Sequence, residues 1–323
     1  MRARTLPPSS ARPLSRRALV LSLVAPGLVQ AQAVPAALPG TVAGAGAGSA
    51  PSDAAAATRI VYPEHESFHD PQLPYMLDLL RLALAQSPRP YEVVASGTAM
   101  TQGRGLRELE FGRGDINLLW SMTSRERERT LLPVRIPLDR GILGWRLLLV
   151  RARDLDRFAR IRGLDQLRKL QAGQMHDWPD TEILRHNGLA VGTASMYEKL
   201  FQKLARERID YFPRSVMEIE NELQRFGRTL DLAIAPRLML HYPTANYFFI
   251  SPRFPQLAED LRQGLERTIA DRSFQALFAQ HFRALLQRLD IPRRLVLRLD
   301  NPLLSPETPL RRPELWADPA TPV

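Results

Sequence analysis

"IDYFPRSVMEIENEL", Ile209 to Leu223, changes character halfway. Ile209–Pro213 reads as a short strand ending in aromatics and a proline. From Ser215 onward the apolar residues recur at helical spacing. Ser215 and Glu218 stand three apart at the join. This is the form of a capping box, in which a hydroxyl closes the first helical turn and a glutamate reaches back. The form recurs twice: "INLLWS" (116–121) leads into Thr123 and Glu126, and "LAVGT" (189–193) into Ser195 and Glu198. Three strands that run straight into capped helices place three helix N-termini at strand carboxyl ends. In open α/β sheets ligands bind along that edge. Helix N-termini there offer free N–H groups and partial positive charge. Arg127 and Arg214 stand at two of the junctions, so an anion-facing corner is expected, with Thr123, Ser124 and Ser215 as its hydroxyls.

Outward from these junctions the chain keeps alternating. Strands are expected at "RIVYP" (59–63), "YEVVAS" (91–96), "GWRLLLV" (144–150), "LDLAIA" (230–235), "NYFFIS" (246–251) and "RLVLRL" (294–299). Helices are expected over 74–86, in "GRGLRELEFGRG" with a glycine stop, and over 165–170 and 181–186. Tyr197, Leu200, Phe201 and Leu204 form a further helical stripe, and two longer helices cover 254–271 and 273–289. Short strands alternating with helices define an α/β fold.

The chain has 323 residues, 45% of them hydrophobic, and no cysteine, which excludes disulfides and cysteine chemistry. Its formal charge is +10, but residues 1–33 hold five arginines and no acid; without them 39 basic residues face 34 acidic ones. The remaining arginines are interspersed with acids rather than gathered in a patch, which argues against nucleic acid as a partner. "SRRALVLSLVAPGLVQAQA" has the basic start, short apolar run and small-residue exit of a secretory signal, so cleavage near Ala33 and a periplasmic location are expected. Residues 34–57 are an Ala/Gly/Pro/Ser linker unable to bury enough apolar surface to fold. The folded part begins near Thr58, and 301–323 is a Pro-rich tail with Trp316 as a possible anchor for another protein.

"DINLLWSMTSRERERTLLPVRIPL" (115–138), "LFQKLARERIDYFPR" (200–214) and "NYFFISPRFPQLAEDLRQGLERTIADRSFQALFAQHF" (246–282) resemble, in this order, segments of the family 3 extracellular solute-binding proteins, the amino-acid type of periplasmic binding protein. The resemblance covers roughly 59–290. It implies two lobes, about 58–145 plus 250–300 and about 146–249, joined by crossing strands near Gly144–Val150 and Asn246–Ser251, with the ligand between them. It also implies a non-catalytic, monomeric binder of a small polar, anionic or amino-acid-like solute, without cofactor, that serves a membrane permease or a sensor kinase. Arg127 matches the arginine that holds a ligand carboxylate, a task suited to its planar fork. Ser124 matches a cap hydroxyl. Met122 replaces a threonine, and Ser215 stands near the place of the aspartate that meets a ligand ammonium. Arg214 in that region implies a second negative group, or a pocket that has lost its ligand.

Other constellations carry less. "YPEHESFHD" (62–70) holds His65 and His69 with Glu64, Glu66 and Asp70, but Pro63 and Pro71 bracket it. It reads as a loop, either plainly solvated or lining the cleft through Tyr62 and Glu66, rather than a metal site. Trp120 ends its strand just before a cap and is expected to face the cleft. No nucleophile, paired-carboxylate or phosphate-loop motif stands out. A lyase- or dehydratase-like enzyme on the same scaffold, or a degenerate relative acting through protein contacts, are the alternatives.

Overall fold

The computed structural model describes residues 57–65, 70–112 and 114–318. The expected signal, nearly all of the linker, Glu66 and His69 lie outside them. In chain order, β1 (Thr58–His65) leads through α1 (Leu73–Leu84) to β2 (Tyr91–Met100), its parallel partner. Tyr75, Met76, Leu79, Leu80 and Ala83 make the single buried stripe of α1 that 3.6-residue periodicity requires. Next, α2 (Gln102–Phe111) is capped by Thr101, which accepts from Arg104 N, and stops at Gly112 in the left-handed region. Then come β3 (Leu118–Met122), α3 (Arg125–Thr130) and β4 (Leu132–Val134).

A second group of elements starts at β5 (Trp145–Arg151), buried along its whole length. It continues through α4 (Leu155–Ala159), α5 (Leu164–Leu167), β6 (Gln171–Met175), α6 (Pro179–His186), β7 (Ala190–Ala194) and α7 (Tyr197–Ala205). It closes with β8 (Phe212–Ser215), α8 (Ile219–Glu222), α9 (Arg228–Leu230), β9 (Leu232–Ile234) and β10 (Leu238–His241). The chain then returns to the first group. There β11 (Asn246–Ile250) lies between β3 and β4, antiparallel to both, under α10 (Pro255–Ala270) and α11 (Ser273–Arg288). Finally, β12 (Leu295–Arg298) pairs with β10. We call the two groups the first and second lobes.

The expected crossing near 246–251 is displaced. The partner of β5 at the crossing is β10, with Trp145 opposite His241 and Arg146 opposite Leu240, while β11 belongs wholly to the first-lobe sheet. Gly144 makes this crossing close: a β-carbon there would run into the Tyr242 carbonyl oxygen, which is backbone and cannot swing aside. The tail is not free either. Arg312 forks onto Glu266 at 2.6 and 2.9 Å, Leu315 is buried, and Trp316 donates from Nε1 to Pro309 O at 2.9 Å. Asn187 of the second lobe exchanges two hydrogen bonds with the Asp300 backbone, and Arg125 N of the first donates to Leu303 O. The segment after β12 thus touches both lobes.

Asp139, in the turn before β5, is fully buried; one carboxylate oxygen accepts from Gly141 N at 3.0 Å and the other has no partner. Burial pushes its pKa up to about 7, against the pull of that hydrogen bond and of Arg146. An unfolded aspartate titrates near 3.9. The folded state therefore holds this proton where the unfolded chain has lost it, and stability falls as pH rises from about 4 to about 7. Asp139→Asn should flatten that part of the curve, read as melting temperature against pH; an identical slope in both proteins would assign the dependence elsewhere.

Candidate functional site

Parallel pairing of β6 with β7, and a parallel bridge from Ala172 to Tyr211, bring the carboxyl ends of β6, β7 and β8 to one edge of the second lobe. From that edge emerge Asp177, Trp178 and Asp180 after β6, Tyr197 after β7, and Glu218 and Glu222 after β8. The first lobe approaches with Gln72, Gln102 and Arg127. Gln72 Nε2 donates to Glu218 Oε1 at 3.3 Å, and Gln72 Oε1 accepts from Asn246 Nδ2, at the start of β11, at 3.4 Å. A β-carbon on Gly103 would stand 3.3 Å from Asp177 Oδ2.

Arg127 is a half-buried cation of the first lobe. Nη1 donates to Ser121 Oγ at 2.8 Å and to Met122 O at 2.6 Å; Nη2 donates to Gln102 Oε1 at 3.1 Å. All three acceptors are neutral, and among the described residues no carboxylate forms an ion pair with it. Burial lowers its pKa to about 10, with Asp177, Asp180 and Glu126 opposing the shift. It remains charged at neutral pH with its fork only partly used.

Arg214 has the opposite surroundings. It is 3% exposed. Its Nε donates to Glu222 Oε1 at 2.6 Å and Nη2 lies 3.0 Å from Glu218 Oε2. Its guanidinium stands 4.7 Å from the Trp178 ring centre, 4.9 Å from Phe212 and 5.7 Å from Tyr197. Burial alone would lower its pKa; Glu218 and Glu222 reverse this and hold it above the ordinary value. The expected anion-facing arginine is therefore already neutralised by its own lobe. On Glu222, burial outweighs Arg214 and raises the pKa. Behind this cluster Arg146, 2% exposed, binds Asp180 at 2.7 Å and reaches Glu218 at 3.7 Å, beneath the Tyr242 ring. The Tyr242 hydroxyl donates to the same Asp180.

The expected hydroxyls are engaged locally. Ser124, not Thr123, is the N-cap of α3 and accepts from Arg127 N at 3.3 Å; Thr123 donates to Glu128 at 2.5 Å. At α7 the cap is Met196, without a side-chain bond; the helix is held instead by burial of Leu200, Phe201 and Leu204. Ser215 is the last residue of β8. Its pairing with Arg146 keeps it extended, and the helix begins only at Ile219. It keeps the reciprocal bonds of a capping box around a turn: Met217 N donates to its Oγ, and its own N–H donates to Glu218. Ser215→Ala removes only the first of these, long at 3.3 Å, and keeps the backbone N–H bond to Glu218, so it should cost about 0.5–1 kcal/mol. Thermal melts measure this, and an unchanged midpoint would show the turn stands without it. Tyr62 and Trp120, both half-buried, meet at 5.7 Å between ring centres.

Sequence reading passed over Arg146, Glu222 and Gln72. One signal was available: an arginine inside "WRLLLV", a strand otherwise apolar, needs a buried counter-charge. Glu218 and Glu222, four apart, share a helical face and were candidates for it.

No protein-family model and no curated protein matches the sequence. Solved structures do resemble it. The probable amino-acid ABC transporter extracellular-binding protein ytmK from Bacillus subtilis is 15% identical, with a TM-score of 0.52 over 70% of this chain and 98% of that one. The periplasmic VFT2 domain of Bordetella pertussis BvgS is 15% identical, with a TM-score of 0.51 over 69% and 92%. An ancestral arginine-binding protein bound to glutamine is 13% identical, with a TM-score of 0.51 over 70% and 97%. The fold is the two-lobed α/β fold of type II periplasmic binding proteins.

Proposed function

We propose that this chain is an exported, non-catalytic solute-binding protein whose inter-lobe cleft takes a small polar solute bearing a carboxylate. The observation that carries the reading is Arg127: a half-buried guanidinium at the cleft whose hydrogen-bond acceptors among the described residues are all neutral. A buried charge without a counter-charge is costly, and a carboxylate ligand would relieve that cost through the same fork. In this reading Ser124, Thr123, Trp120, Tyr62 and Ser215 would line the cleft with it, as the resemblance implies. Asp177 lies opposite, where it would meet a cationic group of a zwitterion. Lobe closure over the solute would then present one surface to a membrane permease or a sensor. Resemblance in fold to ABC-transporter binding proteins supports the permease, and no helix among the described residues is long and apolar enough to cross a membrane.

Titration calorimetry with amino acids, dicarboxylates and small peptides tests the reading; binding of none of them would sink it. A second reading, a relative that acts through protein contacts without a solute, is favoured by one observation. Gln72 and Glu218 already join the lobes, and the segment after β12 straps them. Native mass spectrometry of protein from its own host separates the two: a co-purified small molecule supports the first.

A further inference from the structure

We infer that the cleft wall of the second lobe is a guanidinium-binding site whose resident ligand is the chain's own Arg214. The inference stands on this lobe alone and does not depend on the carboxylate assigned to Arg127. Four separate segments converge on one guanidinium at the ligand-facing edge: Trp178 from the start of α6, Tyr197 from α7, Phe212 from β8, and Glu218 with Glu222 around α8. Strand alternation places Phe212 and Arg214 on the same face, so the phenyl ring lies under the side chain's own stem. The two glutamates, one helical turn apart, engage Nε and Nη2 of the fork, a geometry an ammonium cannot reproduce. The aromatic faces attract the cation through their negative quadrupoles.

Among the described residues the other buried arginines meet fewer rings: Arg151 is held by Asp154, by Asp210 at 3.7 Å and by the carbonyls of Leu204 and Ile209, and Arg146 by Asp180, Glu218 and the single ring of Tyr242. Around Arg214 the cage is itself braced. Tyr197 donates to Glu222 Oε1 at 2.5 Å, and the first lobe's Gln72 donates to Glu218. The first lobe thus docks on a wall that already contains its cation. A solute's cationic group is therefore excluded from the cage of Trp178, Tyr197 and Phe212 while Arg214 occupies it.

Shortening the tether should free the site. Arg214→Ala removes everything beyond the β-carbon, and the missing fragment is ethylguanidinium. Thermal melts of Arg214→Ala should show a rise that grows with the logarithm of ethylguanidinium concentration and reaches about 3–6 °C at ten times its dissociation constant. The parent protein should not shift over the same range. Ethylammonium, which keeps the charge without the fork, and N-ethylurea, which keeps the shape without the charge, should each give less than a third of the effect. If Arg214→Ala does not fold, the same probes are added during refolding, and ethylguanidinium alone should restore the folded circular-dichroism signal. Equal shifts in parent and variant, equal effects of the three probes, or no recovery on refolding would each overturn the assignment.

Discussion

Arg146→Leu should lower the stability of this protein by about 3–5 kcal/mol, the cost of leaving one member of a buried ion pair alone. For a domain of this size that is a fall in melting temperature of about 6–20 °C. Leucine fits the apolar strand and keeps its packing, so lost volume does not drive the effect. The charge left behind does. Asp180, 3% exposed, has its carboxylate against Arg146 at 2.7 Å and would keep only the Tyr242 hydroxyl. Burial alone would lower the Arg146 pKa, yet Asp180, Tyr242 and Glu218 more than reverse it, so the folded protein favours the cation. The double variant Arg146→Leu/Asp180→Asn should recover a substantial part of the loss, because no uncompensated charge then remains. If the double variant is no more stable than the single one, the pair is not what holds this junction. Arg146 sits on β5 beside β10, so the same substitution should also loosen the crossing between the lobes.

That residue shows where sequence reading ran out. The alternation of strands and helices was legible because each element carries its own period. The helix expected over 74–86 and the glycine stop of α2 are local signals and hold in the structure. The second crossing was not local. "LMLH" and "NYFFI" are both short apolar runs, and only pairing partners tell a crossing strand from a sheet strand. Caps failed for a related reason: the ladder that pairs Ser215 with Arg146 outranks the tendency of "SVMEIE" to start a helix at once. Register also decides the site. Arg127 could be picked out because it follows a strand by one turn of its own helix, whereas the partners of Arg146 and Arg214 come together only when β5, β6 and β8 align. Arg214 was read correctly as standing at a junction and incorrectly as open to an anion, because nothing local predicts the two glutamates that claim it.

Arg127→Ala should weaken binding of whichever carboxylate the cleft takes by roughly 30-fold or more. Removing one partner of a buried, hydrogen-bonded charge pair costs about 2–5 kcal/mol, and each factor of ten is about 1.4 kcal/mol. Stability of the free protein should change far less, since Arg127 bonds only to Ser121 Oγ, Met122 O and Gln102 and has no ion pair to break among the described residues. Arg214→Ala should show the reverse: a large loss of stability, because Glu218 and Glu222 are left facing each other, and a smaller direct effect on a carboxylate. Arg127→Lys should fall between parent and alanine, keeping the charge and losing the fork. The pH dependence carries its own sign. With the Arg127 pKa lowered to about 10, the guanidinium is charged through neutral pH, so affinity should be level there and decline as pH rises through about 10. Calorimetry on the three variants, with one carboxylate ligand from the panel, decides the matter. If Arg127→Ala binds that ligand as tightly as the parent does, the cleft holds its solute by other groups, and Arg127 only ties α3 back to the end of β3.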